Sequence, residues 1–249
     1  MKFRILNNII KSGLLPGFFY LTQTLTAQTT PGYQLKSGLD IGMALGSSAT
    51  FATGLYFQHK EKPLPEATIL LLDRKNVNRF DRIATYQWHP TAAKVSDGLA
   101  VGSVLMYSYF YFNKSTRSDF FQISTVGFQS VLLSQALANA IKPVGRYRPY
   151  LYNSNVPMEK KLTADAKMSF FSAHTATVSS ACFSFAFAHQ QYMPNSKANR
   201  YVWSAAVLVP AVQGYLRVKA GKHYPTDVIT GYLVGLGSSF LMHQLHKRN

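Results

Sequence analysis

Eleven residues near the C-terminus, Arg217-Val-Lys-Ala-Gly-Lys-His223-Tyr-Pro-Thr-Asp227, lie where one apolar segment ends and the next begins. If the second segment is helical from His223 onwards, then His223 and Asp227 are four residues apart and share one face of the helix. A carboxylate in that position can hold an imidazole in one tautomer and leave the other ring nitrogen free as a nucleophile or base. A helical His/Asp pair taken alone is more often a simple hydrogen bond, so its meaning depends on the rest of the chain.

Six segments of helical length contain no Lys, Arg, Asp or Glu. They run from Ile41 to His59, Gly98 to Asn113, Phe120 to Ile141, Met168 to Ser196, Tyr201 to Leu216 and Val228 to His246. Several approach the roughly 20 mainly apolar residues that span a bilayer. They are rich in Gly, Ala, Ser and Thr, which let membrane helices pack closely.

The absence of charge from these segments predicts the fold class. A soluble bundle would normally show one polar face per helix, whereas here the charged residues gather in the connections. We therefore predict an all-α fold, a helical bundle of about six helices embedded in a membrane. Because the mean hydropathy is only −0.03, a soluble protein built of buried helices is the alternative.

The N-terminal 27 residues differ from the rest of the chain. Three basic residues precede an apolar stretch from Leu14 to Leu25, and Thr26-Ala27-Gln28 follows. This order is typical of a secretory signal peptide cleaved after Ala27, and an uncleaved anchor is the other interpretation. No Pro/Gly/Ser-rich linker divides the remainder, so we predict a single helical domain over residues 28–249.

The charge balance limits the classes of partner. The formal net charge is +16 with only ten acidic residues, which suits nucleic acid, an anionic membrane surface or a phosphorylated substrate. Composition does not choose among them. Because Cys182 is the single cysteine of the chain, an internal disulfide and a metal cluster of several thiolates are both excluded.

The loops between the segments fall into two groups. Residues 113–119 and 190–200 are short and carry Lys and Arg, and such loops prefer the cytoplasmic side of a membrane. The loops at 60–97, 143–167 and 218–222 would then face outwards. We expect the long loop at 60–97 to form short amphipathic helices that lie on the membrane or over the bundle.

Signal cleavage conflicts with this orientation. A cleaved N-terminus would lie outside, and six crossings would then place the outward loops inside. Three resolutions remain open: the N-terminal segment is retained, one segment does not cross, or the protein is soluble.

Three polar clusters fall on the outward side. The first is Lys142-Pro-Val-Gly-Arg-Tyr-Arg-Pro149, where the third segment ends at a proline. The second is Ser169-Phe-Phe-Ser-Ala-His-Thr175, where the fourth segment begins, and the third is the opening stretch at 217–227. Alternating helix directions bring all three together.

The clusters supply the groups that phosphoryl transfer needs. That reaction requires cations around the phosphoryl oxygens, donors aimed at them, a nucleophile in line and an acid for the leaving oxygen. Lys142, Arg148 and Arg217 offer positive charge, and the two arginines offer forked hydrogen bonds that fit phosphate. The backbone amides after Ser172, at a helix N-terminus, form an anion site.

These clusters resemble the three-part signature of the type 2 phosphatidic acid phosphatase superfamily, which reads Lys-x6-Arg-Pro, Pro-Ser-Gly-His and Ser-Arg-x5-His-x3-Asp. Arg217, His223 and Asp227 match the third part at every spacing, with Leu216 in place of its serine. The resemblance covers roughly residues 120–249. Three clusters in the expected order are a far stronger signal than any one of them.

The other two parts depart from the pattern. The second reads Phe171-Ser172-Ala173-His174, which keeps the serine and the histidine. In the first, five residues instead of six separate Lys142 from Arg148. On a helix, a change of one residue rotates a side chain by about 100°.

The resemblance implies a role for each matching residue. His223 would attack phosphorus to form a phosphohistidine, and Asp227 would orient it. His174 would protonate the leaving oxygen and then activate water. The phosphoryl oxygens would be bound by Lys142, Arg148, Ser172 and Arg217. The resemblance implies no metal and no other cofactor.

The function predicted on this basis is that of a metal-independent phosphatase acting on a phosphomonoester or pyrophosphate of a lipid, in a bacterial inner membrane with the active site facing the periplasm. The expected partners are a phosphorylated lipid or small phosphate ester and the membrane, with no nucleic acid. One alternative is a soluble periplasmic acid phosphatase of the same superfamily with broad specificity. The other is a non-enzymatic basic membrane protein that binds anionic lipid.

Overall fold

The computed structural model of the chain describes residues 32–248, which form a bundle of helices. Its six long helices, numbered here in chain order, are α1 (Ser37–Lys60), α2 (Pro90–Leu105), α3 (Phe120–Ile141), α4 (Ala173–Tyr192), α5 (Asn199–Lys219) and α6 (Pro225–His246). The predicted bundle of about six helices is confirmed. The predicted signal peptide or anchor at residues 1–27 lies outside the described residues.

Short helices connect the long ones. Three are α-helical, at Glu66–Leu70, Ser108–Phe112 and Met158–Lys161. Six are 3-10 helices, at Arg74–Asn76, Arg82–Tyr86, Arg117–Asp119, Lys142–Val144, Pro149–Tyr152 and Ala164–Lys167. The long loop at 60–97 therefore contains short helices, as predicted, but its last residues belong to α2.

The start of α2 corrects a predicted boundary. The uncharged segment was expected to begin at Gly98, yet the helix begins at Pro90 and includes Lys94 and Asp97. A proline at the first helical position is favourable because its missing N–H needs no partner there. Charged residues do not end a helix, so the absence of charge was a poor guide to this boundary. Asp97 therefore lies within a helix.

Helix α4 lies at the centre of the bundle and contacts α2, α3, α5 and α6. Small residues allow this close packing. A Cβ atom at Gly235 of α6 would lie 2.5 Å from the backbone oxygen of Ala176, and one at Gly231 would lie 2.5 Å from that of Ser172. The glycines of α6 therefore fix the distance between the backbones of α4 and α6.

Many large apolar side chains lie on the outer faces of the helices. Leu208 and Tyr215 of α5 are 62% and 63% exposed, and Leu233 and Phe240 of α6 are 58% and 50% exposed. Within residues 32–248, no helix combines the length and the apolar character needed to cross a membrane. Membrane embedding therefore stays a prediction.

The site is built where several helix ends meet. The C-terminal ends of α3 and α5 approach the N-terminal ends of α4 and α6, because successive helices run in alternating directions. The backbone N–H of Ser172, just before α4, donates to the backbone oxygen of Asp227 in α6 (3.1 Å). The first half of α2 completes this end of the bundle through Ser96 and Asp97.

Candidate active site

The first cluster begins directly after α3. Lys142 opens a 3-10 turn with Pro143, and Gly145 follows in the left-handed region at φ 84°. Its ammonium is buried and donates to the backbone oxygen of Met168 (3.1 Å). Since the chain leaves the α-helix before Lys142, the shortened spacing to Arg148 is taken up by a turn rather than by rotation around a helix.

Arg148 joins the first cluster to the third. Its guanidinium is buried, and Nη1 donates both to the backbone oxygen of Lys222 (2.8 Å) and to Nε2 of His223 (3.2 Å). On the other side, Nε and Nη2 donate to the backbone oxygen and the carboxylate of Asp165 (2.9 and 2.7 Å). Four hydrogen bonds thus hold this arginine against the candidate nucleophile.

His223 is held in one tautomer by the backbone. Its Nδ1 lies 2.8 Å from the backbone oxygen of Ser169. A carbonyl can only accept, so Nδ1 carries the proton and Nε2 keeps its lone pair. Burial, followed by the charges of Arg148 and Arg217, lowers the pKa of His223 well below its ordinary value. The ring is therefore neutral at physiological pH, as a nucleophile must be.

Asp227 contacts His223 less closely than the sequence predicted. Helix α6 begins at Pro225, so His223 lies in the preceding turn and does not share a helical face with Asp227, whereas the sequence had suggested that it would. Asp227 Oδ2 is 3.7 Å from Nδ1 of His223. The same oxygen accepts from the Ser169 hydroxyl (2.5 Å) and the backbone N–H of Tyr224 (2.9 Å). Its contact with the imidazole therefore runs through Ser169.

Asp227 also belongs to a network of ion pairs with Arg146 and Asp81. Arg146 binds the carboxylate of Asp227 with Nη1 and that of Asp81 with Nη2 (2.6 Å). Asp81 is fully buried and also accepts from the backbone N–H and the hydroxyl of Thr226 (2.9 and 2.7 Å). The loop at 60–97 is thereby fastened to the start of α6, and the Arg146 guanidinium covers the Tyr224 ring at 4.2 Å.

The second cluster supplies a helix N-terminus. Ser172 is the N-cap residue of α4, and its hydroxyl accepts from the backbone N–H and the hydroxyl of Thr175 (3.3 and 2.9 Å). The first backbone N–H groups of a helix have no intrahelical acceptor, so this end of α4 can receive an anion. His174 lies in this first turn, with a side chain that is 39% exposed.

Arg217 and His174 meet at Asp97. Arg217 is buried in the last turn of α5, and its Nη1 donates to the hydroxyl of Ser96 (3.0 Å) and to Oδ1 of Asp97 (3.2 Å). The same Oδ1 lies 3.0 Å from Nε2 of His174. One carboxylate oxygen therefore contacts both groups.

Burial and neighbouring positive charges lower the pKa values of Lys142 and His174. Burial lowers the pKa of Lys142 to about 8, with a further contribution from Arg148. Burial also lowers the pKa of His174 to about 4, and the charge of Arg217 acts in the same direction while Asp97 opposes it. Without an anion present, the histidine expected to act as the acid is neutral at physiological pH.

The structure brings all seven predicted site residues to one end of the bundle and adds others. The residues not assigned from the sequence are Asp81, Ser96, Asp97, Arg146, Asp165 and Ser169. Ser169 lies inside the second cluster, so a signal was present for it. Asp81 and Asp97 come from the loop and helix before the signature, where no motif marks them.

No group of three or more His, Cys, Asp or Glu residues within 32–248 is arranged to hold a metal ion.

Comparison with known proteins identifies the family of the chain. No curated protein matches the chain. A crystal structure of a transmembrane PAP2 type phosphatidylglycerolphosphate phosphatase from Bacillus subtilis is similar, with 20% identity, 83% of this chain and 94% of that chain covered, and a TM-score of 0.48. The family model of the PAP2 superfamily matches residues 126–249, which include all three clusters. The chain belongs to the PAP2 superfamily.

Proposed function

We propose that this protein is a metal-independent phosphatase that hydrolyses a phosphomonoester or pyrophosphate, carried by a lipid, through a phosphohistidine intermediate. The observation that carries the proposal is the environment of His223. Its Nδ1 proton is committed to the Ser169 carbonyl, and its Nε2 lone pair lies against the Arg148 guanidinium. Membership of the PAP2 superfamily supports phosphatase chemistry at these residues.

The first step transfers the phosphoryl group to the protein. A phosphoryl oxygen attracts the Arg148 guanidinium away from Nε2 of His223, because an anionic acceptor binds it more strongly than a neutral nitrogen. Nε2 then attacks phosphorus while the bond from phosphorus to the leaving oxygen breaks. His174 gives that oxygen its proton. Lys142, Arg148, Arg217 and the N-terminus of α4 neutralise the equatorial oxygens.

The second step releases phosphate. The neutral His174 left by the first step accepts a proton from water as the water oxygen attacks phosphorus. The bond from phosphorus to Nε2 breaks, its electrons return to the imidazole, and inorganic phosphate leaves. The first step consumes a proton from His174 and the second restores it, so the protein is unchanged after one turnover.

Substrate charge prepares His174 for the first step. Burial and the neighbouring Arg217 lower the pKa of His174 to about 4. A bound phosphate brings negative charge that stabilises the imidazolium and raises this pKa. Protonation of the acid is thereby linked to the presence of the group that it must protonate.

The distribution of apolar residues supports a lipid substrate and contact with a membrane. The positions buried between helices are mostly small or polar, including Ser179 and Ser180 of α4 and Gly231 and Gly235 of α6. Large apolar residues of α6 lie on its outer face, where Leu233 and Phe240 are 58% and 50% exposed. Extensive exposed apolar surface is typical of contact with lipid or a partner.

The predicted localisation in a bacterial inner membrane, with the site facing the periplasm, is part of this proposal. A soluble periplasmic acid phosphatase is the second candidate, and osmotic shock would release it whereas membrane fractionation would retain the first. Reporter fusions at Asn113, Lys161 and Asn249 test the orientation. A cytoplasmic signal at Lys161 contradicts a periplasmic site.

Trapping of the intermediate tests the mechanism. In His174→Ala, an ester with a good leaving group such as p-nitrophenyl phosphate should still phosphorylate His223, while hydrolysis of the phosphoenzyme slows by about 100-fold or more. We expect an acid-labile, alkali-stable phosphoprotein in this variant and a burst of p-nitrophenol close to one per chain. His223→Ala is the matched control and should show neither.

Two results would overturn this proposal. One is steady phosphate release by His223→Ala at the unsubstituted rate. The other is lipid binding without any phosphate release by the unsubstituted protein, which is the behaviour expected of a non-enzymatic basic membrane protein. Comparing phosphatidate in mixed micelles with p-nitrophenyl phosphate in the same detergent then separates a lipid phosphatase from a broad acid phosphatase.

A further inference from the structure

An acidic side chain lies among the cations of the phosphate site. Oδ1 of Asp97 is 3.2 Å from Nη1 of Arg217 and 3.0 Å from Nε2 of His174. In the proposed reaction, the arginine binds a phosphoryl oxygen and the histidine faces the leaving oxygen. Oδ1 of Asp97 contacts both groups. It therefore carries negative charge at the position where a phosphate oxygen would bind.

The two contacts that α2 makes with Arg217 differ in how firmly they are fixed. Ser96 is fully buried, and its hydroxyl also donates to the backbone oxygen of Ala93 (2.6 Å). The Asp97 side chain is 59% exposed. A rotation about its side-chain bonds carries its carboxylate into solvent without moving the helix, whereas Ser96 stays in place.

Arg217 also has unused hydrogen-bonding capacity. The side chain is 5% exposed, and among residues 32–248 its Nε has no acceptor. An unpaired donor of a buried guanidinium is costly, and a bound anion with several oxygens can satisfy it. Asp97 therefore occupies only part of what Arg217 offers.

We propose that Asp97 is an internal competitor for phosphate: its carboxylate binds Arg217 and His174 in the empty site and is displaced when the phosphoryl group of a substrate arrives. This inference rests on the proposed function for the identity of the anion. It assigns Asp97 a role in specificity, because an anion must bind Arg217 better than a neighbouring carboxylate does. Weakly charged ligands fail that requirement, and phosphate monoesters with two negative charges meet it.

Displacement follows from charge. A phosphoryl oxygen and a carboxylate oxygen cannot both occupy the position beside Arg217, since like charges at that distance repel. Once Asp97 has moved, Nε2 of His174 is free to face the leaving oxygen. The same movement therefore clears the anion site and uncovers the acid.

Equilibrium binding of inorganic phosphate tests the proposal without depending on turnover. Isothermal titration calorimetry on the full chain in detergent would compare the unsubstituted protein with Asp97→Asn and Asp97→Ala. If the carboxylate occupies the site about nine-tenths of the time, removing it tightens apparent phosphate binding by about tenfold. Ser96→Ala should weaken binding, because it removes the fixed contact to Arg217.

A charge-matched control separates competition from a general electrostatic effect. Asp73→Asn removes one negative charge from an exposed loop residue whose side chain caps a 3-10 turn, a role that asparagine also fills. It should leave phosphate affinity unchanged. Thermal unfolding of each variant confirms that it is folded.

Each outcome decides the question. Tighter phosphate binding by both Asp97 variants, with Asp73→Asn unchanged, supports competition. Equal or weaker binding by the Asp97 variants overturns it, including the case in which turnover falls while affinity stays constant, which would instead mark Asp97 as a positioning residue for His174. If no protein in the series binds phosphate, the anion site of the proposed function fails as well.

Discussion

Two residues contact the ring nitrogens of His223, and the family motif assigns neither of them to that histidine. The backbone oxygen of Ser169 fixes the Nδ1 proton, and Arg148 covers Nε2 until a phosphoryl oxygen attracts it away. Asp227 lies at 3.7 Å from Nδ1 and acts through the Ser169 hydroxyl. At the scale of single residues, the orientation of the nucleophile is thus shared between backbone and side chain.

Because a backbone carbonyl and a carboxylate both orient His223, substitution of Asp227 should lower kcat less than substitution of His223 itself. Asp227→Asn should lower kcat less than His223→Ala does, because the carbonyl of Ser169 still holds the imidazole tautomer. His223→Ala should remove turnover altogether. Steady-state kinetics with p-nitrophenyl phosphate would measure both. A loss in Asp227→Asn as complete as that in His223→Ala would show that the carboxylate contacts the imidazole directly.

The acid should respond to ligand charge. Inorganic phosphate is expected to raise the pKa of His174 above about 4, since the anion stabilises the imidazolium. Titration of the His174 ring protons by NMR, with and without phosphate, measures the change, and His174→Gln assigns the resonance. A lowered pKa would contradict phosphate binding next to this ring.

At the scale of elements, glycines and serines determine how closely α4 and α6 approach. Gly231 and Gly235 face the backbone of α4, and each leaves no room for a methyl group. Gly237 lies on the same helix, where a Cβ atom would meet nothing within 4 Å. Because His174 lies in the first turn of α4 and Asp227 in the first turn of α6, the separation of these helices also sets the geometry of the site.

A pair of alanine substitutions tests this packing. Gly235→Ala should destabilise the fold by about 2 kcal/mol through overpacking and should also reduce activity. Gly237→Ala, the matched control, should be neutral or stabilising by up to about 1 kcal/mol, since alanine is the better helix former. Chemical denaturation in detergent measures both. Equal effects would contradict the close approach of α4 and α6.

At the scale of the whole molecule, a buried hydrogen bond between an aspartate and a histidine joins the first long helix to the last. Asp40 of α1 and His246 of α6 are fully buried with 2.7 Å between Oδ1 and Nε2. Gln129 of α3 donates to the same oxygen (2.9 Å), and His246 Nδ1 lies 2.8 Å from the backbone oxygen of Met242. Both ring nitrogens therefore lie within hydrogen-bonding distance of an oxygen acceptor.

Removing this pair should cost stability in a pH-dependent way. Burial raises the pKa of Asp40, but the hydrogen bonds from His246 and Gln129 outweigh it and the net pKa is lowered. The stabilisation is therefore present above the unfolded pKa of an aspartate and is lost as pH falls through the folded value. Asp40→Asn should lower the free energy of unfolding by about 3 kcal/mol at neutral pH.

Denaturation at several pH values checks this prediction. The difference in stability between the unsubstituted protein and Asp40→Asn should shrink as the solution becomes acidic. Asp73→Asn serves as the control, because Asp73 is exposed and its replacement should change little. A difference that does not depend on pH would show that Asp40 is not ionised in the folded protein.

The sequence by itself determined the helical class, the six long segments and the seven candidate site residues. Helix positions follow from local patterns of apolar residues and prolines, and the order of the three clusters follows from the alternation of helices. Arg217, His223 and Asp227 were recognisable because they lie close together along the chain. The part of the chain that matches the PAP2 family model contains all three.

Only the tertiary structure decided which atoms meet. Asp97, Asp81 and Ser169 contact residues between 54 and 145 positions away along the chain. Examples are the hydrogen bonds that His223 donates to the Ser169 carbonyl and that Thr226 donates to the Asp81 carboxylate. No local pattern encodes such distances, because they depend on how α2, α4 and α6 pack. For the same reason, the sequence predicted Asp227 as the direct partner of His223, whereas the fold gave that hydrogen bond to a backbone oxygen.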